Sequence, residues 1–321
     1  QSILALSASV PDVENNLNAP WSDRLVRHKA FQYKQEIYVR LLLELANTLN
    51  TQHGVNYSTK YWAIICGPWL RQYINRLYHF WSCFEKIVDK PNDTFQLPSA
   101  DLEDFIAQDY MDFVLSTRKG LWNQLIIGEI AVRKGFEVKQ IEDFSFVKQA
   151  SEVPVLRSRA HKFIHGLLRL LRVIAKKEVV LISTNLSFSL KLKLMIKLRE
   201  TLYFIDEKFE LPLLDYNHSL RRDIAQLLQN GNFNVTAFEN FLVDMLALNL
   251  PKSYLEGYDD IRKLANQCGL PDKPKVILAT WTIPNEIFKV YTATKVENGT
   301  KLCLFNHGNE CHLYSDFHDH E

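Results

Sequence analysis

Three consecutive segments near the end of the chain leave few folds open. Val276 to Thr280 (VILAT) is a β-branched apolar run, Pro284 to Val296 reads as a helix with proline at its start, and Lys301 to Phe305 (KLCLF) is a second strand after the turn at Gly299. Strand, helix and strand at this spacing form a βαβ unit, and the helical crossover makes its two strands parallel. Parallel sheets are covered by helices on both faces, so the segment places the chain in the α/β class. Asn306, His307 and Gly308 follow the second strand directly. They are therefore expected at the carboxyl end of a parallel strand, where open α/β sheets hold their ligands.

The front of the chain has a different texture. Between residues 22 and 50, Phe31, Ile37, Leu41, Leu42, Leu45 and Leu49 fall near helical spacing, with Ser22 or Asp23 as the cap and His53-Gly54 as the stop. A second helical stretch starts at Ser58 and runs to about Val88. Gly67-Pro68 should break or kink it, because proline lacks a backbone donor and disfavours helix at the preceding residue. Beyond the break, Trp69, Tyr73, Leu77 and Trp81 recur every four residues. Such a stripe is either a sugar-stacking surface or core packing, and core packing is its commoner use. Pro91 to Pro98 reads as a polar connection, Asp101 to Ile106 as a helix, and Thr117 to Lys134 as a longer one. Ser2 to Val10 is apolar without a basic segment before it, which suits a first strand rather than a signal peptide.

From about Val155 the chain becomes basic. Arg157 to Lys177 is an amphipathic helix pattern with Phe163, Ile164, Leu167, Leu168, Leu171 and Ile174 on its apolar side. Val179 to Ser183 (VVLIS) reads as a short buried strand, and Leu190 to Arg199 as a further basic helix, although its alternating leucines and lysines also fit a strand. From Arg157 to Glu200 there are eleven Lys and Arg, with only Glu178 and Glu200 as acids. A patch of this kind either holds anionic groups or is a solvated helix face balanced elsewhere. Residues 219 to 250 read as helical with an interruption at Gly231, followed by a helix from Tyr254 to Gln267 and a proline-rich hinge from Pro271 to Pro274. The texture change suggests two regions: 1–150, helix-rich with the aromatic block, and 151–321, a Rossmann-like parallel α/β region.

Bulk properties exclude several classes. Lys+Arg 38 against Asp+Glu 37 leaves no global field for nucleic acid. No apolar run reaches the length of a membrane span. Cys66, Cys83, Cys268, Cys303 and Cys311 contain no C-x-x-C pair, which argues against a structural zinc module or a disulfide framework and for a reducing compartment. The G-x-G-x-x-G fingerprint of dinucleotide redox enzymes is absent. Asn56-Tyr57-Ser58 and Asn298-Gly299-Thr300 match the glycosylation triplet only by chance if the chain is cytoplasmic.

Two blocks then resemble a bacterial family of transferases associated with surface carbohydrate biosynthesis. The first is His53-Gly54-Val55-Asn56-Tyr57-Ser58 followed by Tyr61-Trp62 and Gly67-Pro68-Trp69-Leu70. The second runs through Tyr254-Leu255-Glu256, Asn285-Glu286, Phe288-Lys289 and Glu297-x-Gly299-Thr300-Lys301-Leu302 to His307-Gly308. The resemblance implies an architecture similar to glycosyltransferases of the GT-B type, with two facing Rossmann-like halves, acceptor in front and nucleotide-activated donor behind. It also marks Glu256, Lys289, Asn306, Gly308, His320 and Glu321 as substrate-binding candidates. The family follows this last strand with a stretch like Q-H-G-G-x-Y-G, whereas this chain has Asn306-His307-Gly308-Asn309-Glu310-Cys311-His312. The lost glycines are those that let backbone approach a phosphate. The chain starts at Gln1 and stops inside this motif, so both ends read as cut and the donor half as missing.

His307 is the candidate catalytic base, because imidazole titrates near neutrality and can take a proton from an attacking hydroxyl. Glu286, at the start of the preceding helix, is the second catalytic candidate. It would orient His307 or bind an acceptor hydroxyl, or simply complement the helix dipole. For Glu256 the ordinary explanation is an exposed helix acid. The expected reaction moves a sugar or polyol phosphate from a nucleotide-activated donor, used as co-substrate with no tightly bound cofactor, to a glycan or lipid-linked acceptor. The expected setting is the cytoplasm, with peripheral contact at the inner membrane and no nucleic acid partner. Two alternatives stay open: a carbohydrate-binding module without turnover, and a metal-dependent hydrolase using His307, His312, His318 and His320 with Cys311, Asp316, Asp319 and Glu321. The spacing of that cluster fits no H-E-x-x-H motif, so no metal is assigned.

Overall fold

A computed structural model describes residues 3–5, 21, 23–85, 94–98, 102–141, 178–182, 186, 188–198, 203–205, 211–229, 231, 236–280 and 283–305. The chain divides into two units, 1–144 with 212–261 and 145–211 with 262–321. The first of these boundaries falls between residues 144 and 145, and residues 212–261 return to the first unit. The helix-rich α/β class read from the βαβ pattern is the one observed, with parallel strands in both units.

In the first unit, Asp23 starts α1 (Arg24–His53) by accepting hydrogen bonds from the backbone N–H groups of Leu25 and Val26 at 2.7 and 3.3 Å. The helix buries Ile37, Leu41, Leu45 and Leu49 and ends at Gly54, whose φ of 61° is left-handed. Ser58 caps α2 (Thr59–Ile65), and Cys66 separates it from α3 (Gly67–Glu85). The expected break at Gly67-Pro68 is therefore real, and proline in a first helical turn forfeits no hydrogen bond. The aromatic stripe on α3 is core: Trp69, Tyr73, Leu77 and Trp81 are all buried, and the Trp69 and Tyr73 rings stack at 5.0 Å. The Tyr73 hydroxyl donates to the carbonyl of Leu242 at 3.3 Å, and burial, then the Asp244 carboxylate, push this phenol well above its ordinary range.

A three-stranded parallel sheet of order β1-β2-β3 is formed by β1 (Ile3–Ala5), β2 (Thr94–Pro98) and β3 (Glu137–Ile141). Phe95 is opposite both Leu4 and Val138, and its buried ring meets Phe84 at 5.2 Å and Phe136 at 5.4 Å. The polar connection expected at Pro91 to Pro98 is corrected here, since Phe95 recruits the segment into the sheet. The single helix expected from Thr117 to Lys134 is two, α4 (Tyr110–Lys119) and α5 (Leu121–Arg133), divided where Gly120 adopts a φ of 87°. The helix expected at Asp101 to Ile106 shortens to a 3-10 turn at Leu102–Phe105. Helices α7 (His218–Gln229) and α8 (Ala237–Asn249) complete this unit, and α9 (Tyr258–Gln267) begins in it.

The second unit holds β4 (Val179–Ile182), α6 (Phe188–Leu198), β5 (Tyr203–Ile205), β6 (Val276–Thr280), α10 (Glu286–Glu297) and β7 (Lys301–Phe305). Its sheet has the order β5-β4-β6-β7 and every pairing is parallel. The expected βαβ unit appears in register from Val276↔Lys301 to Thr280↔Phe305. Two long-range hydrogen bonds hold it to the proline-rich segment: Tyr291 Oη donates to the carbonyl of Pro271, and Thr300 Oγ1 to that of Pro274, both at 2.7 Å. The basic stretch Leu190 to Arg199 resolves as helix from Phe188 to Leu198 rather than strand. The basic pattern from Arg157 to Lys177 lies outside the described residues.

The turn after α1 depends on one amide. Asn50 Nδ2 donates to the Tyr57 carbonyl at 2.8 Å, while Oδ1 accepts from the Tyr57 N–H at 3.1 Å and from Trp62 Nε1 at 2.8 Å. Replacing Asn50 by Ala strands three polar groups and is expected to lower stability by about 1–3 kcal/mol, measured by chemical denaturation against wild type.

Candidate functional site

The order β5-β4-β6-β7 contains a reversal. From β4 the chain crosses through α6 to β5 on one side, and the later strands β6 and β7 are laid on the other side. Crossovers that leave in opposite directions part at the carboxyl ends of the two central strands, which opens a crevice there. The crevice lies between the ends of β4, at Ile182, and β6, at Thr280, one strand away from the end of β7. In the sequence, β4 is followed by Ser183-Thr184-Asn185-Leu186-Ser187 and β6 by Trp281-Thr282-Ile283-Pro284-Asn285.

Asn285 caps α10, with its Oδ1 accepting from the N–H groups of Ile287 at 3.0 Å and Phe288 at 3.4 Å. Glu286 occupies the first turn, where a negative charge meets the positive end of the helix dipole. One turn on, Lys289 Nζ donates to Glu286 Oε1 at 2.8 Å. The side chains are 0% (Lys289) and 1% (Glu286) exposed, so this is a fully buried i,i+3 ion pair. Thr292 is buried on the same helix, and its Oγ1 has no hydrogen-bond partner among the described residues. These groups line α10 with charge and polarity in a position where an ordinary crossover helix carries aliphatic residues. Two of the predicted site residues, Glu286 and Lys289, are thereby brought into direct contact.

The helices on either side of the crevice differ electrostatically. The N-terminus of α10 has two of its amides taken by Asn285 and an acid in its first turn, so an arriving anion finds less attraction there. The N-terminus of α6 has no acid in its first turn, is preceded by a Ser/Thr/Asn-rich run, and carries Lys191 and Lys193 just beyond. A negatively charged group is thus better accommodated at the N-terminus of α6 than at that of α10.

Glu256 has a different character. It was expected as an exposed acid, and that expectation is corrected: its side chain is 7% exposed and forms a two-pronged ion pair with the buried Arg221. Arg221 Nε and Nη2 donate to Glu256 Oε1 and Oε2 at 2.7 and 2.8 Å, and Nη1 donates to the carbonyls of Ala247 and Leu248 at the end of α8. Asn217 N–H also reaches Glu256 Oε1, at 3.2 Å. Both carboxylate oxygens are committed to the guanidinium of Arg221, whose Nη1 ties α7 to the end of α8. The partner of Glu256, thirty-five positions upstream, carries no local sequence signal that could have paired the two.

The block around His53 is likewise built inward. The His53 ring packs at 4.3 Å from Tyr258 and its Nε2 is 3.1 Å from the Tyr254 carbonyl, while the Tyr61 and Tyr258 hydroxyls are 2.8 Å apart. His307, Asn306, Gly308, His320 and Glu321 lie outside the described residues, as does the C-terminal His/Asp cluster. Among the described residues no group of three His, Cys, Asp or Glu is arranged to hold a metal, and Cys66, Cys83, Cys268 and Cys303 are not in disulfides. No helix among them is long and apolar enough to cross a membrane.

A family model described as LIC12162 family transferase matches residues 9–318 of the chain. No curated protein and no solved structure matches it.

Removing one member of the α10 pair isolates a buried charge. Lys289→Met alone is expected to cost about 3–5 kcal/mol, and Glu286→Leu with Lys289→Met to recover most of that loss. Denaturant midpoints of the two variants check this: equal losses would mean the pair is not coupled.

Proposed function

The chain belongs to the LIC12162 family of transferases, and from that premise we propose that it moves a sugar or polyol phosphate from a nucleotide-activated donor to a surface-glycan or lipid-linked acceptor, in the manner of a GT-B glycosyltransferase. The observation that carries the proposal is the reversal between β4 and β6, because open parallel sheets bind nucleotides at such a point. The donor's phosphates would lie toward the N-terminus of α6, where dipole and lysines favour negative charge. The acceptor hydroxyl would approach from the side of β7, whose last residue, Phe305, precedes Asn306, His307 and Gly308.

In this reading His307 removes the proton of the acceptor hydroxyl as the hydroxyl oxygen attacks the donor, and the nucleotide leaves with the electrons of the broken bond. Glu286 is a positioning residue. Buried and held by Lys289, it fixes the first turn of α10 beside the proposed reaction region. Asn306 and Gly308 flank the base, and His320 and Glu321 complete the acceptor side. The chain needs no resident cofactor for this transfer, because the activated donor supplies the leaving group.

The test is release of nucleotide from a panel of sugar nucleotides and cytidine-diphosphate polyols, supplied with a glycan acceptor. At least one donor should be consumed, and His307→Ala should cut its turnover by about a hundredfold or more while nucleotide affinity, measured by calorimetry, stays within about twofold. Binding without turnover by any donor would favour the carbohydrate-binding module, and absence of nucleotide binding would rule out transfer from a nucleotide-activated donor.

A further inference from the structure

Helix α6 faces two ways. Leu194 and Met195 pack with Leu186 and Leu278 around the buried Leu181 of β4, as a crossover helix should. The other side is not the polar surface that this role calls for. Ile196 is 68% exposed and Leu190 47%, and Lys193 and Lys197 are exposed beside them. The helix contains no acidic residue. The nearest acid before it in the sequence, Glu178, is engaged with Lys275 Nζ at 2.9 Å.

We infer that the outer face of α6 is a docking surface for an anionic lipid bilayer, with Leu190 and Ile196 entering the headgroup boundary and Lys193 and Lys197 contacting lipid phosphates. The combination selects the occupant. A soluble polyanion such as RNA rewards the lysines but leaves exposed isoleucine and leucine in water. A neutral protein groove rewards the apolar pair but not the cations. The interface of an anionic membrane rewards both at once, the lysines by about fivefold each and the apolar side chains by leaving water. The helix lies between β4 and β5, so its N-terminus borders the crevice while its outer side meets the membrane. A lipid-linked acceptor would thus be delivered beside the proposed donor site. The inference extends the functional proposal but does not need it, since membrane docking and transfer are read separately.

The experiment is co-sedimentation of the full chain with vesicles of phosphatidylglycerol and phosphatidylethanolamine, against vesicles of phosphatidylcholine alone. Binding is expected only to the anionic vesicles and should weaken as salt is raised. Lys193→Glu with Lys197→Glu should lower the partition by about twenty-five-fold or more, and Ile196→Asn by about fivefold or more. These side chains are exposed, so circular dichroism and the melting temperature should stay unchanged; Lys193→Gln with Lys197→Gln serves if the charge reversal disturbs folding. Calorimetric nucleotide affinity should not move in Ile196→Asn, which separates this surface from the transfer site. No binding to anionic vesicles, or binding that survives both the lysine and the isoleucine changes, would overturn the inference. Loss with the lysines but not with Ile196 would also overturn it, by exposing a general polyanion contact.

Discussion

Everything the second unit offers chemically follows from one pairing, β4 beside β6. Val179 to Ile182 lie in register with Val276 to Ala279, strands separated in sequence by nearly a hundred residues, and both are parallel to each other and to their outer neighbours. Parallel strands exclude a tight return, so each must be linked through a helix on a sheet face. With β5 on one side of this pair and β7 on the other, the links part above it. Ile182, Ile277 and Ala279 are buried at the pairing and make it apolar. The polar residues begin where the strands stop. The crevice is a consequence of strand order, and side chains need only furnish it.

Buried polar groups in this protein fall into two kinds, and their degree of satisfaction tells them apart. Asn50 meets main-chain and side-chain partners across the turn after α1, and the Arg221–Glu256 pair with its main-chain partners joins segments distant in sequence. Such fully connected networks contribute a unique arrangement, and they explain why residues that look chemically promising in a sequence are structural. The Glu286–Lys289 pair joins residues only one turn apart on the same helix, so it holds no distant elements together through that bond. Desolvating two charges is costly, and a well-packed aliphatic pair would serve the helix as well or better. A local, buried ion pair at the end of a central strand therefore needs a reason other than stability.

What the sequence disclosed, and what it hid, divides along the range of the interactions. The βαβ unit was legible because Val276 to Thr280, Glu286 to Glu297 and Lys301 to Phe305 each carry a local period and are joined by Asn285 and Gly299, both with local meaning. The end of α1 at Gly54 and the break at Gly67-Pro68 were legible for the same reason. β2 and β3 were not. Thr94 to Pro98 follows Pro91 closely and ends in proline, while Glu137 to Ile141 (EVKQI) shows no period-two alternation, and the two pair only once Phe95 is placed opposite Val138. Glu256 was misread as an exposed acid because its environment comes from Arg221, on another helix. Of the candidate site, Glu286 and Lys289 were found by motif, but their contact required the helix to start at Glu286, which the N-cap Asn285 decides.

The unequal helices α6 and α10 give the crevice a direction. In a symmetric site, an anionic donor and the base that activates its acceptor would compete for the same positive helix end. Here Asn285 uses two of the amides of α10 and Glu286 offsets its dipole, while α6 keeps an acid-free first turn and lysines behind it. A phosphate near the start of α10 would find its dipole offset, and one placed near α6 would be drawn in. Holding phosphate, the first charged step of the proposed transfer, is thus better served on one side of the crevice than on the other. Lys289 completes the division: buried against Glu286 at 2.8 Å, its ammonium is committed to that carboxylate and not to the donor's phosphates.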